Sequence, residues 1–150
     1  MEITTIIDPR LIRTSMTAED KGDALNQLTA LLYEVGYVTD REGFIQDVYA
    51  REGEGMTGIG NYIAIPHGKS AFVKEVGVAI GVLEEEIPWE TLDGNGVKEI
   101  ILFAVGDDTA AAKQHLKLLS LFARKLGNDE VIANLLLSKN ADEVIQAFEI

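Results

Sequence analysis

Only two histidines occur in the 150-residue chain, and one of them, His67, sits where an imidazole could do chemistry. It follows a short apolar run, Ile63-Ala64-Ile65, then Pro66, and it precedes Gly68. The run reads as a buried strand. Pro66 cannot donate a ladder hydrogen bond, so the strand is expected to end there. Gly68 lets the backbone turn and leaves room beside the ring. An imidazole at the mouth of a strand, approachable from one side, suits a nucleophile or a metal ligand. On local sequence alone, the commoner role of such a histidine is a hydrogen-bonded surface residue. Two neighbours favour chemistry. A glycine cluster from Gly53 to Gly60 lies just upstream and could bring backbone N–H groups to a bound anion. The other histidine, His115, falls near the start of a predicted helix that could point at the same mouth.

A neutral imidazole carries a lone pair near physiological pH, because its ordinary pKa is about 6.5. It can attack phosphorus and form a phosphoramidate, which keeps a high transfer potential. Such a reaction needs in-line positioning and donors for the equatorial oxygens. The backbone N–H groups after His67, starting with Gly68, the Thr57 hydroxyl, His115 and Arg51 are the candidate donors. No metal and no cofactor is required. Two histidines without an evident carboxylate partner are a poor ligand set for a stable metal site.

The elements that must position these groups follow from periodicity and punctuation. Ile3 to Ile7 is β-branched and reads as a short strand or extended arm, broken by Asp8-Pro9. Leu11 and Ile12 are expected to tuck against the body. Thr17-Ala18-Glu19-Asp20 resembles a helix start. Ala24, Leu25, Leu28, Leu31, Leu32 and Val35 then recur at helical spacing until Gly36. Asp40 opens a second helix that ends at Arg51-Glu52-Gly53 and delivers Arg51 to the glycine loop, residues 53–62. Taken alone, Arg51 is a solvated helix-end charge that favours the C-terminal dipole. Val76 to Val82 and Ile100 to Val105 read as strands buried on both faces. Glu84-Glu85-Glu86 reads as a solvated turn, and Trp89 as a cover over an edge of the core. Gly106 to Thr109 opens a helix whose buried stripe is His115, Leu119, Phe122 and Leu126. On its own, His115 is a core-edge histidine holding a backbone carbonyl. Asn128 and Asn140 cap two further helices, which bury Val131, Leu135 and Leu136, then Val144, Ile145 and Phe148. Helices alternating with three or four strands predict an α/β fold: a single three-layer domain over residues 1–150, with a mixed β-sheet and helices on both faces.

Composition narrows the function further. The formal net charge is −12, from 25 acids against 13 bases, which speaks against nucleic-acid binding. An acidic surface favours basic protein partners, or simply solubility. Cysteine is absent, which removes disulfides and thiolate chemistry. No apolar run is long enough to span a membrane, so no direct membrane insertion is expected. The N-terminus lacks the pattern of a secretory leader. The expected location is cytoplasmic.

Several stretches together resemble the EIIA component, fructose/mannitol type, of the phosphoenolpyruvate-dependent sugar phosphotransferase system (PTS). They are Arg51-Glu52, Thr57-Gly58-Ile59-Gly60, Ala64-Ile65-Pro66-His67-Gly68, Lys69-Ser70, Val76-Gly77-Val78-Ala79-Ile80-Gly81, Trp89 with Leu92-Asp93-Gly94, and His115-Leu116. The resemblance covers nearly the whole chain. One departure is Gly96, where the family usually has proline before Val97. The resemblance implies a phosphotransferase component with a phosphohistidine intermediate. His67 would accept phosphate from the histidine of HPr and pass it to an EIIB domain, usually to a cysteine, for coupled sugar uptake. It further implies that His115 assists, with Arg51 and Thr57 in supporting roles. The fructose type is the best match. The alternatives are a nitrogen-regulatory EIIA that acts by phosphorylation-dependent protein binding, an interaction domain that is never phosphorylated, and a metal-binding module using both histidines.

Overall fold

The computed structural model describes residues 2–150. Two short 3-10 turns, Ile3–Thr5 and Pro9–Leu11, lead into strand β1 (Ile12–Met16). Helices α1 (Lys21–Val35) and α2 (Arg41–Glu52) follow. Then come three short strands, β2 (Gly58–Gly60), β3 (Ile63–Ala64) and β4 (His67–Lys69), and two long ones, β5 (Gly77–Ile87) and β6 (Val97–Val105). Helices α3 (Thr109–Leu126), α4 (Asp129–Leu137) and α5 (Ala141–Phe148) complete the chain.

The six strands form one mixed sheet in the order β1-β5-β6-β3-β2, with β4 also paired to β6. β5 and β6 run antiparallel at its centre. Period-two alternation along β6 splits the core between the two faces. Ile100, Leu102 and Ala104 pack with residues of α1 and α2. Ile101, Phe103 and Val105 pack with residues of α3, α4 and α5. The three-layer expectation holds, with more strands than foreseen.

Every helix start is capped by a short polar side chain. Asp20, Asp40, Asp108, Asn128 and Asn140 each accept backbone N–H bonds from the first turn of α1 to α5 in order. Such a cap contributes about 1 kcal/mol. Gly36 ends α1 with φ of 94°, in the left-handed region.

Several expectations are corrected. Ile3–Thr5 is a 3-10 turn that buries Ile3 under α3 and α5, and it pairs with no strand. The strand of this region is β1, three residues beyond Pro9, at the sheet edge beside β5. α1 starts at Lys21, and its cap is Asp20, three residues after Thr17. Glu84-Glu85-Glu86 is exposed but lies inside β5, which runs on to Ile87. On α4 the deeper residue is Ile132, and Leu136 is only half-buried.

The strand holding His67 does not end at Pro66. β3 pairs Ile63 with Glu99 and β4 pairs His67 with Phe103, both parallel to β6. The offset is the same on both sides, 99 − 63 = 103 − 67 = 36. This is one strand, interrupted over Ile65-Pro66 and resumed in register. Pro66 supplies no N–H, but its carbonyl still accepts from Phe103 N at 3.0 Å. Just before β3, Gly60, Asn61 and Tyr62 all have positive φ (94°, 56° and 66°). Asp93 holds this turn by accepting from Asn61 N at 3.0 Å.

Candidate active site

His67 is set by β4, and its exposure is only 8%. Alternation sends its side chain to the α3 face and Gly68 to the α2 face. Gly68 is required there for a reason other than a turn. A Cβ would lie 2.2 Å from the ring of Phe44 on α2, so α2 could not approach the strand. Its φ is not positive, and the backbone runs straight through it.

His115 lies in the second turn of α3, seven residues in, and reaches down onto His67. The two ring centroids are 4.8 Å apart, tilted by 59°. Phe103 of β6 lies under both, 5.3 Å from His67 and 6.1 Å from His115. Burial, followed by the nearby His115, pushes the His67 imidazole down to about 4. The Ile65 and Pro66 carbonyls oppose this only in part. His115 is also lowered, by burial, then Lys69 and Arg51. Both rings are therefore neutral at pH 7 and carry a free lone pair. His67 Nδ1 and His115 Nε2 are buried with no hydrogen-bond partner among the described residues.

Arg51 ends α2, and its Nη1 donates to the Gly55 carbonyl at 3.3 Å. Its charge is felt at both histidines. Thr57 is buried, and its hydroxyl is already engaged. It donates to Glu52 Oε2 at 2.6 Å and accepts from the Trp89 indole N–H at 3.3 Å. The Thr57 carbonyl accepts from Ile65 N at 2.9 Å, two residues before His67. Gly58 is pressed onto the next loop, where a Cβ would meet Thr91 at 2.4 Å. Chemically, the site offers two neutral nucleophilic rings, the basic side chains of Arg51 and Lys69, and a fastened loop. Among the described residues, no group of three or more His, Cys, Asp or Glu could hold a metal ion.

Residues 5–149 match the family profile described as "Phosphoenolpyruvate-dependent sugar phosphotransferase system, EIIA 2". The chain belongs to this family of phosphoryl carriers. It is 32% identical over 143 residues to the PTS system fructose-specific EIIA component of Haloferax volcanii, covering 95% of this chain and 92% of that protein. It is 30% identical over 149 residues to the PTS system 2-O-alpha-mannosyl-D-glycerate-specific EIIABC component of Escherichia coli, covering 99% of this chain and 23% of that longer protein. The chain thus spans under a quarter of the length of the first curated relatives it matches, 23% in one and 22% in another. Among solved structures, the Nitrogen Regulatory Protein IIA-Ntr from Neisseria meningitidis superposes with a TM-score of 0.86 at 27% identity, covering 97% of this chain and 98% of that one.

Within this EIIA domain the expected residues fall into two groups. His67, His115 and Arg51 converge. Thr57 stands behind them, its hydroxyl hydrogen held by Glu52. Two contributors carried no signal strong enough to assign them. Phe103 looked like any core residue of a strand. Glu52 was visible only as half of the Arg51-Glu52 pair.

Proposed function

We propose that this domain carries a phosphoryl group on His67, taken from HPr and passed to an EIIB domain. The observation that carries this reading is the pair of adjacent, neutral imidazoles, 4.8 Å apart, with the Arg51 charge beside them. Nδ1 of His67 is buried, which leaves Nε2 as the attacking nitrogen. In the first step the donor's N–P bond breaks as Nε2–P forms. In the second, Nε2–P breaks and the phosphoryl group moves to a thiolate of EIIB. His115 orients the group and Arg51 offsets its charge, whereas the Gly68 N–H, expected as a donor, is spent in the ladder with β6. Thr57 contributes by holding the loop. Transfer between like nucleophiles needs alignment and charge compensation more than covalent help.

The proposed unit is the whole stretch 1–150, working in the cytoplasm with no metal or cofactor. Fructose-type sugar uptake is the favoured role. Gly68-Lys69-Ser70, Val76 to Gly81 and the loop from Trp89 to Gly94 support it, together with the fructose-specific relative. A nitrogen-regulatory role is the second reading, favoured by the backbone match to the Neisseria protein.

The test is incubation with phosphoenolpyruvate, enzyme I and HPr, followed by mass spectrometry. Label is expected on His67 and absent from His67→Ala. Undiminished label in that variant would sink the assignment. Onward transfer to an EIIB cysteine then separates transport from regulation.

A further inference from the structure

One buried polar chain lies outside the histidine pair. Lys21 is the first residue of α1, where a cation opposes the helix dipole. Its side chain is nonetheless only 19% exposed. Its ammonium lies 2.6 Å from Glu52 Oε1 and 2.7 Å from Glu90 Oε2, and 5.1 Å from the centre of the Trp89 ring. The Glu52 side chain is 6% exposed, and both its oxygens are occupied, Oε1 by Lys21 and Oε2 by the Thr57 hydroxyl.

We infer that Lys21 is a positioning residue for phosphoryl transfer, acting through Glu52 and Thr57 on the loop beside His67. The path is continuous. Lys21 fixes the Glu52 carboxylate, which fixes Thr57. The Thr57 carbonyl in turn holds Ile65 N, at the break where the His67 strand pauses. Glu52 is also the neighbour of Arg51, so the same ion pair sets the end of α2 that presents the guanidinium. Stability alone does not explain the arrangement. A buried ion pair gains about what its desolvation costs, and its best-attested use is to select one geometry. Without Lys21, Glu52 would be a buried charge with no counter-ion. It would swing toward solvent or toward Arg51, and either movement releases Thr57.

The inference rests on the phosphoryl-carrier reading, and the experiment separates the two. Single-turnover phosphorylation by phospho-HPr is measured over a range of donor concentrations for the wild type, Lys21→Met, Lys21→Arg and Glu52→Gln. Lys21→Met should lower the transfer rate constant roughly tenfold, with the half-saturating donor concentration nearly unchanged. Lys21→Arg should recover to within about threefold, because it restores the charge and can donate to both carboxylates. The Thr57 amide and Trp89 indole signals should move in Lys21→Met and return in Lys21→Arg. Glu52→Gln leaves Thr57 an acceptor but removes the charge Lys21 needs. It should show the same rate loss, and it stands in should Lys21→Met not fold. Wild-type rates in both Lys21→Met and Glu52→Gln would overturn the inference alone, as would a loss confined to donor affinity. No label on the wild-type chain would overturn the functional reading and this inference with it.

Discussion

His67 and Glu99 are buried at two points along β6, four residues apart in its register, and pH acts on them in opposite directions. His67 pairs across from Phe103, while Glu99 lies on β6 itself, opposite Ile63 and Val82. Glu99 is fully buried, and neither carboxylate oxygen has a hydrogen-bond partner among the described residues. By alternation it shares the α3–α5 face with Ile101 and Phe103. Burial alone pushes its carboxyl up to about 8, since no neighbouring charge contributes. Both groups are thus held uncharged near neutrality, for different ends. At His67, exclusion of water strips a proton and leaves a lone pair for attack. At Glu99 it keeps a proton on and gives nothing back in bonding. Desolvation of a titratable group is therefore no sign of use by itself; what distinguishes His67 is the second ring and the arginine at hand.

The signs of the two linkages follow. The folded pKa of Glu99 lies above its ordinary 4.5, so the folded chain holds that proton more tightly. Stability from this group is present below pH 4.5 and is lost as pH rises toward about 8. The folded pKa of His67 lies below its ordinary 6.5, so the unfolded chain takes that proton first. Stability from His67 is present above pH 6.5 and is lost as pH falls toward about 4.

The largest effect should come from removing the unpaired carboxyl. Glu99→Leu should raise unfolding free energy at pH 9 by a few kcal/mol, on the order expected for a buried, unpartnered ionised group. Urea titrations at pH 9 and pH 5 check it, and the gain should shrink at the lower pH. An equal gain at both would mean that packing, not charge, is what the substitution changes.

Next in size, the acid limb of the stability curve should flatten in His67→Ala. Between pH 6.5 and 4 the wild type should lose more stability than the variant, by about 1–3 kcal/mol. Parallel curves would remove the histidine from the comparison. Phosphoryl acceptance by the wild type should meanwhile stay level from pH 8 down to about pH 5 and fall only near pH 4, following the His67 pKa of about 4. Rapid-quench labelling across that range tests it, and a midpoint near 6.5 would show that His67 is not desolvated before the donor arrives.

The smallest expected effect is that of His115→Gln. His115 is the second cause of the lowered His67 pKa, after burial, so its loss should shift the His67 titration upward only in part. Imidazole resonances followed by NMR report this shift. A downward shift would mean that His115 supports the proton on its neighbour.

Much of this was readable from residue order. Asp40, Asn128 and Asn140 announced their helices because a short acceptor before an apolar period has few other uses. The runs at 76–82 and 100–105 announced central strands, because only a doubly covered strand is apolar at every position. β1 was hidden, since Ile12-Arg13-Thr14-Ser15-Met16 is an edge strand with three polar residues of five. Glu84 to Glu86 looked like a turn because three successive charges break the period-two pattern, yet all three are exposed within β5. His67 and His115 were found as individual residues, yet their packing against Phe103 depends on contacts made across the sheet. Gly68 was noticed for the wrong reason. What fixes it is the Phe44 ring, 24 residues earlier, and no local pattern records that approach. Lys21 escaped for the same cause.

The pause at Ile65-Pro66 imposes a counting rule on the chain. Two residues separate Ala64 from His67, and the ladder resumes with its offset unchanged. Side chains alternate between faces, so one residue fewer or one more would turn the imidazole to the Phe44 side, a helix layer away from His115. Changes of residue type at position 65 leave this parity intact, whereas a single-codon deletion or insertion there does not. In any lineage of such chains, length changes are thus barred from this spacer even where its side chains are free to drift.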